Sequence, residues 1–177
     1  MGEKGVEPGK GANSKKMLVS GIVLLVLLVA AFSFLNRDKE GLKEGTVAIK
    51  AGDTKLGSLT ISDLQKLPAV KKKMVIHSSQ GNTNNDFTCT PMLAVLNSID
   101  PSLTQQYKKI IARGIDNYTS GLDISEVLHP DNVYIAYADY GKPLKTKKGE
   151  DGSMLIIICN DEYGQRSTKW LVSLELQ

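Results

Sequence analysis

The sequence has few of the residues that mark several common kinds of functional site. It contains two cysteines, Cys89 and Cys159, and two isolated histidines, His77 and His129. No Cys-x-x-Cys pair occurs, so the spacing argues for neither a zinc site nor a haem attachment site. If the chain is exported, a disulfide between the two cysteines is permitted but not indicated, since a domain of this size does not need one. The residues alone therefore predict no metal ligands and no catalytic set.

Two further absences narrow the class of protein. There is no glycine-rich phosphate loop and no long alternation of strands and helices, which argues against a nucleotide-binding doubly wound fold. Lys and Arg number 22 against 19 Asp and Glu, for a net charge of +3, and no arginine-rich run interleaved with aromatic residues is present. We therefore expect no nucleic-acid partner.

What the chain does have is one long uncharged apolar run, Met17–Leu35. At about 1.5 Å of rise per residue, such a run is just long enough for a helix to cross the roughly 30 Å hydrocarbon core of a bilayer. A cleaved signal peptide has a shorter apolar region, and Ala31-Phe32-Ser33 would be a poor cleavage site. No cysteine follows the run, which excludes a lipoprotein anchor. We expect an uncleaved signal anchor.

The flanking charges suggest the orientation of this anchor. Lys15 and Lys16 abut its amino-terminal end, although Arg37, Lys39 and Lys43 follow closely behind it. The positive-inside difference is small, and the short tail favours the cytoplasmic side. We predict a disordered cytoplasmic tail over 1–16, a transmembrane anchor over 17–35, a linker over 36–45 and an extracytoplasmic domain over 46–177. The protein is then expected in the cell membrane as a single-pass protein.

The pattern of the remaining residues predicts an α+β domain that is mainly β. Two β-prone runs around a turn at 51–54 predict a hairpin, and strands are expected over 71–77, 109–112, 132–138, 154–159 and 169–176. In the last strand, Trp170, Val172, Leu174 and Leu176 should share one face. Helices are expected over 60–68, 91–99 and 124–128. The polar stretch Ser78–Asp86 predicts a loop.

Four stretches in order resemble the sulfite oxidase-like family, also called the oxidoreductase molybdopterin-binding domain. The stretches are Thr60–Pro68, Phe87–Leu96, Ala112–Tyr118 and Ile135–Leu144, the last followed by Leu155–Cys159 and Lys169-Trp170. They are similar to the family's opening helix, its Phe-x-Gly-Val-Pro segment, its Asp-Gly-Tyr turn and its closing run that ends in Lys-Trp. The resemblance implies the family's mixed α+β fold over nearly all of 59–176.

The departures from the family pattern bear on catalysis. In catalytic members a cysteine at the end of the strand after the opening helix supplies a thiolate to molybdenum, a ligand that suits a soft metal site. Here that strand end contains Ser78 and Ser79, while Cys89 stands near the family's glycine. The family's arginine-rich run is replaced by Asn82–Asn85. The resemblance therefore implies a degenerate member without the metal-ligand cysteine.

We favour a membrane-anchored extracytoplasmic binding module without redox catalysis and without a bound cofactor. The residues expected around a small anionic or pterin-like ligand are Ser78, Ser79, Asp116, Tyr118, Arg166 and Lys169. One alternative is an active molybdopterin-dependent oxidoreductase that works with a membrane electron-transfer partner. Another is a structural domain that interacts with membrane proteins. Bound molybdopterin would identify the active oxidoreductase. A different bound small molecule would distinguish the binding module from the structural domain.

Overall fold

The computed structural model of the protein describes residue 17 and residues 19–29, 42–78 and 81–177. The first helix, α1, covers residues 19–29, and its side chains are exposed. Among the described residues, no helix combines the length and the hydropathy needed to cross a membrane. The predicted tail over 1–16 and the first part of the predicted linker, 36–41, lie outside the described residues. Residues 42–177 form a compact unit of their own.

One sheet combines strands from both ends of this unit with two strands from its middle. Its strands are β1 (Thr46–Ala51), β2 (Thr54–Thr60), β5 (Lys109–Gly114), β6 (Thr119–Asp123) and β10 (Leu171–Leu176). The spatial order is β2-β1-β10-β5-β6. β1 and β10 are parallel, with Ile49 opposite Leu174, and the other pairs are antiparallel. The carboxyl-terminal strand thus lies between β1 and β5, at the centre of this sheet.

The second sheet is antiparallel throughout. Its strands are β3 (Val70–Ser78), β4 (Gly81–Pro91), β7 (Val133–Asp139), β8 (Lys142–Pro143) and β9 (Leu155–Ile158). The order is β3-β4-β7-β8, and β9 also pairs with β7. β7 therefore pairs with three strands, and it is buried along most of its length.

The helices are short and begin at recognisable signals. They are α2 (Ile61–Leu64), α3 (Met92–Ile99), α4 (Leu103–Gln106) and α5 (Ile124–Leu128), with a 3-10 turn at Gly164–Arg166. Reciprocal side-chain bonds between Thr60 and Asp63 form a capping box at α2, and Asp123 with Glu126 forms another at α5. Pro91 immediately precedes α3, where its missing N–H costs nothing.

Apolar side chains lie on both faces of β7. Val133, Ile135 and Tyr137 belong to the larger core, which joins the first sheet to the helices. Tyr134 and Ala136 point the other way, into a smaller core with Phe87 and residues of β3 and β9. Burial on both faces explains why the sequences of β7 and β9 are nearly continuous apolar runs. The mainly-β α+β class predicted from the sequence is confirmed.

Most of the predicted elements are present, and three differences stand out. The β1–β2 hairpin, α3, α5 and the buried strand β9 are confirmed. The loop predicted over Ser78–Asp86 is wrong, because β4 begins at Gly81 and pairs with β3 back to Ser78. β6 was not predicted. Trp170 does not lie in the last strand: β10 begins at Leu171, and Trp170 precedes it with a φ of 51°.

The two cysteines are free. Cys89 is on β4 and Cys159 directly follows β9, and these strands lie on opposite sides of β7. Two strand spacings separate their backbones by about 9.5 Å, whereas a disulfide needs Cα atoms within about 7 Å. The fold therefore keeps the two thiols apart.

Candidate functional site

A cavity of about 540 Å³ opens where the ends of three segments meet. We call it cavity 1. Its lining comes from the end of β3, the turn between β5 and β6, and the chain that leads from the 3-10 turn into β10. The lining residues are His77, Asp116, Tyr118, Tyr163, Gly164, Gln165, Ser167, Lys169 and Trp170. The volume falls in the range of typical small-molecule sites.

The turn between β5 and β6 sets the position of Tyr118. The Asp116 side chain accepts a hydrogen bond from the Tyr118 N–H at 3.0 Å, and the Gly114 N–H donates to the Tyr118 carbonyl at 2.9 Å. Asn117 adopts a left-handed conformation between them, which asparagine tolerates well. The Tyr118 hydroxyl donates to the Gln165 carbonyl. Two walls of cavity 1 are therefore joined by a hydrogen bond.

The 3-10 turn packs closely on β3. A Cβ atom added to Gly164 would lie 2.4 Å from Cγ2 of Ile76, so only glycine fits there. The Tyr163 ring lies edge-on to His77, with ring centroids 6.4 Å apart. Nδ1 of His77 is 2.9 Å from Oδ1 of Asn82 on β4. The β3–β4 ribbon thus supplies one wall of cavity 1.

Lys169 and Trp170 form the opposite wall. The Trp170 indole N–H donates to the Lys145 carbonyl at 3.1 Å, and its own carbonyl accepts from the Ile115 N–H at 3.0 Å. These bonds hold a bulky residue in the left-handed region, where strain is common at functional sites. The Lys169 side chain is exposed, and its ammonium has no ion-pair partner within the described ranges. It is a cation free to meet an anionic ligand.

Arg166 does not line cavity 1. Its guanidinium is bound by Glu126, at 2.8 and 2.9 Å, and by Asp161. These two carboxylates raise the pKa of Arg166, and the hydrogen bonds from Arg166 lower the pKa of Glu126. With its charge balanced by two acids, Arg166 is a brace between α5 and the 3-10 turn. This geometry does not support the predicted role of Arg166 as an anion ligand.

The structure brings together three of the predicted site residues, Asp116, Tyr118 and Lys169. Ser78 ends β3, but its side chain is outside the described part of the structure, and so is Ser79. Sequence reasoning did not single out the aromatic lining provided by His77, Tyr163 and Trp170. The aromatic character of Tyr163 and Trp170 was visible in the sequence, but their common direction depends on the 3-10 turn and on the left-handed Trp170.

A thiolate-bound metal does not fit the donor atoms of this site. The chain has only two thiols, and neither Cys89 nor Cys159 lines cavity 1. Cys89 is fully buried, its sulfur lies 3.5 Å from the Val70 carbonyl, and burial raises the pKa of its thiol to about 12. Burial also raises the pKa of Cys159. Burial thus disfavours the thiolate, the form that binds a metal, at both cysteines.

Nor do other donors gather into a metal site. Across the described ranges, no three His, Cys, Asp or Glu side chains lie close enough together to hold a metal ion.

Comparison with known proteins adds two findings. A family model described as the oxidoreductase molybdopterin binding domain matches residues 43–177. The crystal structure of the sulfane dehydrogenase SoxCD from Paracoccus pantotrophus superposes with a TM-score of 0.59 and 16% sequence identity. That match covers 74% of this chain and 37% of the SoxCD chain, so this chain spans little more than a third of its length. Such low identity shows a shared fold alone. A search of curated proteins found no match.

Proposed function

Because the chain belongs to the oxidoreductase molybdopterin-binding domain family, we propose that its folded domain is a binding module without redox catalysis. The ligand would be a planar, anionic, pterin-like molecule held in cavity 1. The observation that carries the proposal is the placement of the two thiols. The family resemblance implies a thiolate at the end of β3, where this chain has serines, and neither cysteine lines the cavity.

The remaining lining suits the organic part of such a ligand. Tyr118, Tyr163 and Trp170 offer ring faces and edges against which a flat heterocycle can pack. Asp116 has acceptor capacity beyond the bond it receives from the Tyr118 N–H, so it can accept from ring N–H groups. Lys169 supplies a positive charge for an anionic substituent. Recognition would thus combine stacking, one acceptor and one cation.

Fluorescence titration with two pterins tests this assignment. We expect the full chain to bind both 6-carboxypterin and pterin, the former more tightly because its carboxylate pairs with Lys169. Lys169→Met should weaken 6-carboxypterin binding about five- to tenfold, as expected for loss of a charge-assisted hydrogen bond, and leave pterin binding nearly unchanged. Lys50→Met, on β1 and away from cavity 1, is the matched control. Failure of both pterins to bind would refute the ligand class.

We also propose that residues 17–35 anchor the domain to the cell membrane and place it outside the cytoplasm. The support is the uncharged run and the two lysines that precede it. A reporter enzyme that is active only after export, fused after Gln177, should be active. Moving Lys15 and Lys16 to positions behind the apolar run should reduce that activity. An inactive reporter on the unaltered chain would reverse the proposed orientation.

A further inference from the structure

A second cavity of about 390 Å³ lies beside cavity 1, on the other side of Lys169 and Trp170, which line both. We call it cavity 2. Its floor is apolar: Phe87 and Leu155 belong to the smaller core, Ile76 and Leu144 pack against that core, and Met154 belongs to the larger one. Nothing in the proposed function uses this space.

One polar atom in the lining of cavity 2 is unusual. Ser153 is 2% exposed, and its hydroxyl oxygen has no hydrogen-bond partner. The backbone of Ser153 is fixed, since its N–H donates to the Leu144 carbonyl at 3.0 Å. Leaving a buried hydroxyl unpaired costs free energy, so native proteins rarely keep one without a reason. The oxygen itself exposes less than 1 Å², so a ligand meets it only when the hydroxyl turns about χ1 towards cavity 2. Ser153 lines that cavity, and no existing hydrogen bond opposes the turn.

The charges around cavity 2 indicate what that group is. Lys169 contributes an ammonium with no ion-pair partner among the described residues, whereas Lys145 is paired with Asp151 at 2.7 Å. Asp139 also lines the cavity, and its Oδ1 accepts the Asp86 N–H at 2.8 Å. Asp139 is the one acidic residue that the described part of the chain contributes to this lining, against the unpaired Lys169 and the Lys145 that Asp151 neutralises. The Lys169 cation and the Ser153 hydroxyl above an apolar floor match a molecule with an anionic head, held at the Lys169 end, and an apolar body.

We propose that cavity 2 binds a small organic monocarboxylate. The carboxylate would accept hydrogen bonds from the Ser153 hydroxyl and the Lys169 ammonium, and the apolar body would lie on Ile76, Phe87 and Leu155. This site is separate from the pterin site except at the shared wall. Since both ligands use Lys169, a monocarboxylate in cavity 2 and an anionic pterin in cavity 1 should weaken each other's binding.

The single tryptophan of the chain provides the readout, because Trp170 lines cavity 2. The full chain in lipid nanodiscs, which avoids free detergent in an apolar cavity, is titrated with benzoate and with benzamide. Benzoate should change the Trp170 fluorescence saturably. Benzamide, the neutral isostere, should bind at least about fivefold more weakly because it lacks the charge that Lys169 meets.

Ser153→Ala separates a binding role from a structural one. It should weaken benzoate about fivefold or more while the melting temperature stays equal or rises, because the hydroxyl has no partner to lose. Ser98→Ala, on α3 and outside both cavities, should leave benzoate binding unchanged.

Any one of four results would overturn the proposal. The first three are no saturable response to benzoate, as in a cavity filled by water only; equal binding of benzamide; and unchanged benzoate binding by Ser153→Ala. A marked fall in the melting temperature of Ser153→Ala would also overturn it, by showing that the hydroxyl has a structural partner. Failure of pterin to bind in cavity 1 changes none of these outcomes, so the two proposals fail separately.

Discussion

Gly114, like Gly164, is a residue at which the shape of cavity 1 depends on a missing side chain. A Cβ atom there would lie 2.5 Å from the Lys169 carbonyl oxygen and 2.7 Å from Oδ1 of Asp116. The first of these atoms is backbone and cannot move aside cheaply. The glycine therefore allows β5 to lie close to the segment that carries Lys169.

We predict that Gly114→Ala lowers the free energy of unfolding by about 1–3 kcal/mol, the usual cost of overpacking, and weakens pterin binding. Gly121→Ala is the control on the neighbouring strand, since its added Cβ would meet Ile111 at an ordinary 3.8 Å. That variant should be neutral or slightly stabilised. Denaturant unfolding of both proteins measures the difference. Equal stabilities would contradict the close approach at Gly114.

The buried thiol of Cys89 makes stability sensitive to alkaline pH. Burial raises its pKa to about 12, whereas a thiol in the unfolded chain has a pKa of about 8.5. Above that lower value the unfolded chain binds fewer protons than the folded one, so stability falls as pH rises. The stabilising contribution of Cys89 to the free energy of unfolding is complete below about pH 8.5 and is lost towards pH 12. Between these values the free energy of unfolding falls by at most about 1.4 kcal/mol per pH unit.

Unfolding free energies of the natural chain and of Cys89→Ala, measured between pH 8 and pH 11, test this expectation. The decline should be shallower in the variant, which lacks the titrating thiol. Parallel declines would mean that Cys89 ionises at the same pH in the folded and unfolded chains.

At the scale of elements, Arg166 connects α5 to the 3-10 turn that forms one wall of cavity 1. Arg166→Met would leave Glu126 and Asp161 without their cation, and we expect a loss of about 1–2 kcal/mol for this half-exposed network. Backbone amides over 161–167 should exchange hydrogen faster, and pterin should bind more weakly.

Lys66→Met is the matched control, because it removes an exposed ion pair with Asp63 whose expected value is under about 1 kcal/mol. If the two variants lose the same stability and retain the same exchange rates, Arg166 is not a brace.

The β3–β4 ribbon shows which elements a sequence predicts poorly. Residues 81–84 are all exposed, so neither face of that part of β4 carries the apolar alternation that identifies a strand. Its pairing with β3 depends on backbone hydrogen bonds. By contrast, β9 is buried on both faces and α3 has an apolar stripe after a proline, and both were predictable.

The candidate site was predictable only in part, because some of its contacts join residues that are distant in the sequence and leave no local pattern. Asp116, Tyr118 and Lys169 belong to motifs that the family resemblance already pointed to, and all three line cavity 1. Arg166 was predicted as an anion ligand from its charge alone, and its partner Glu126 lies 40 residues earlier in the sequence. No local pattern indicates such a pairing. The unpaired Ser153 hydroxyl likewise follows from the packing of distant segments.

At the scale of the whole molecule, the fold is that of an oxidoreductase domain family, but the candidate site lacks the thiolate that the family resemblance implies. Residues 43–177 match a family of molybdopterin-binding oxidoreductase domains, and the two sheets reproduce its mainly-β architecture. Cavity 1 has aromatic walls and a lysine without an ion-pair partner among the described residues, whereas neither Cys89, which is buried, nor Cys159, which is partly buried, lines it. On the proposed function, cavity 1 binds its ligand without a metal-bound thiolate.

Metal analysis tests this account most directly. The full chain is produced in a host that makes molybdopterin, purified in folded form, and its molybdenum and oxidised-pterin fluorescence are measured per chain. A non-catalytic module should contain far less than one molybdenum per chain. Stoichiometric molybdenum together with molybdopterin would contradict the account and make the chain an oxidoreductase, with Ser78, Ser79 and Cys89 the first residues to substitute.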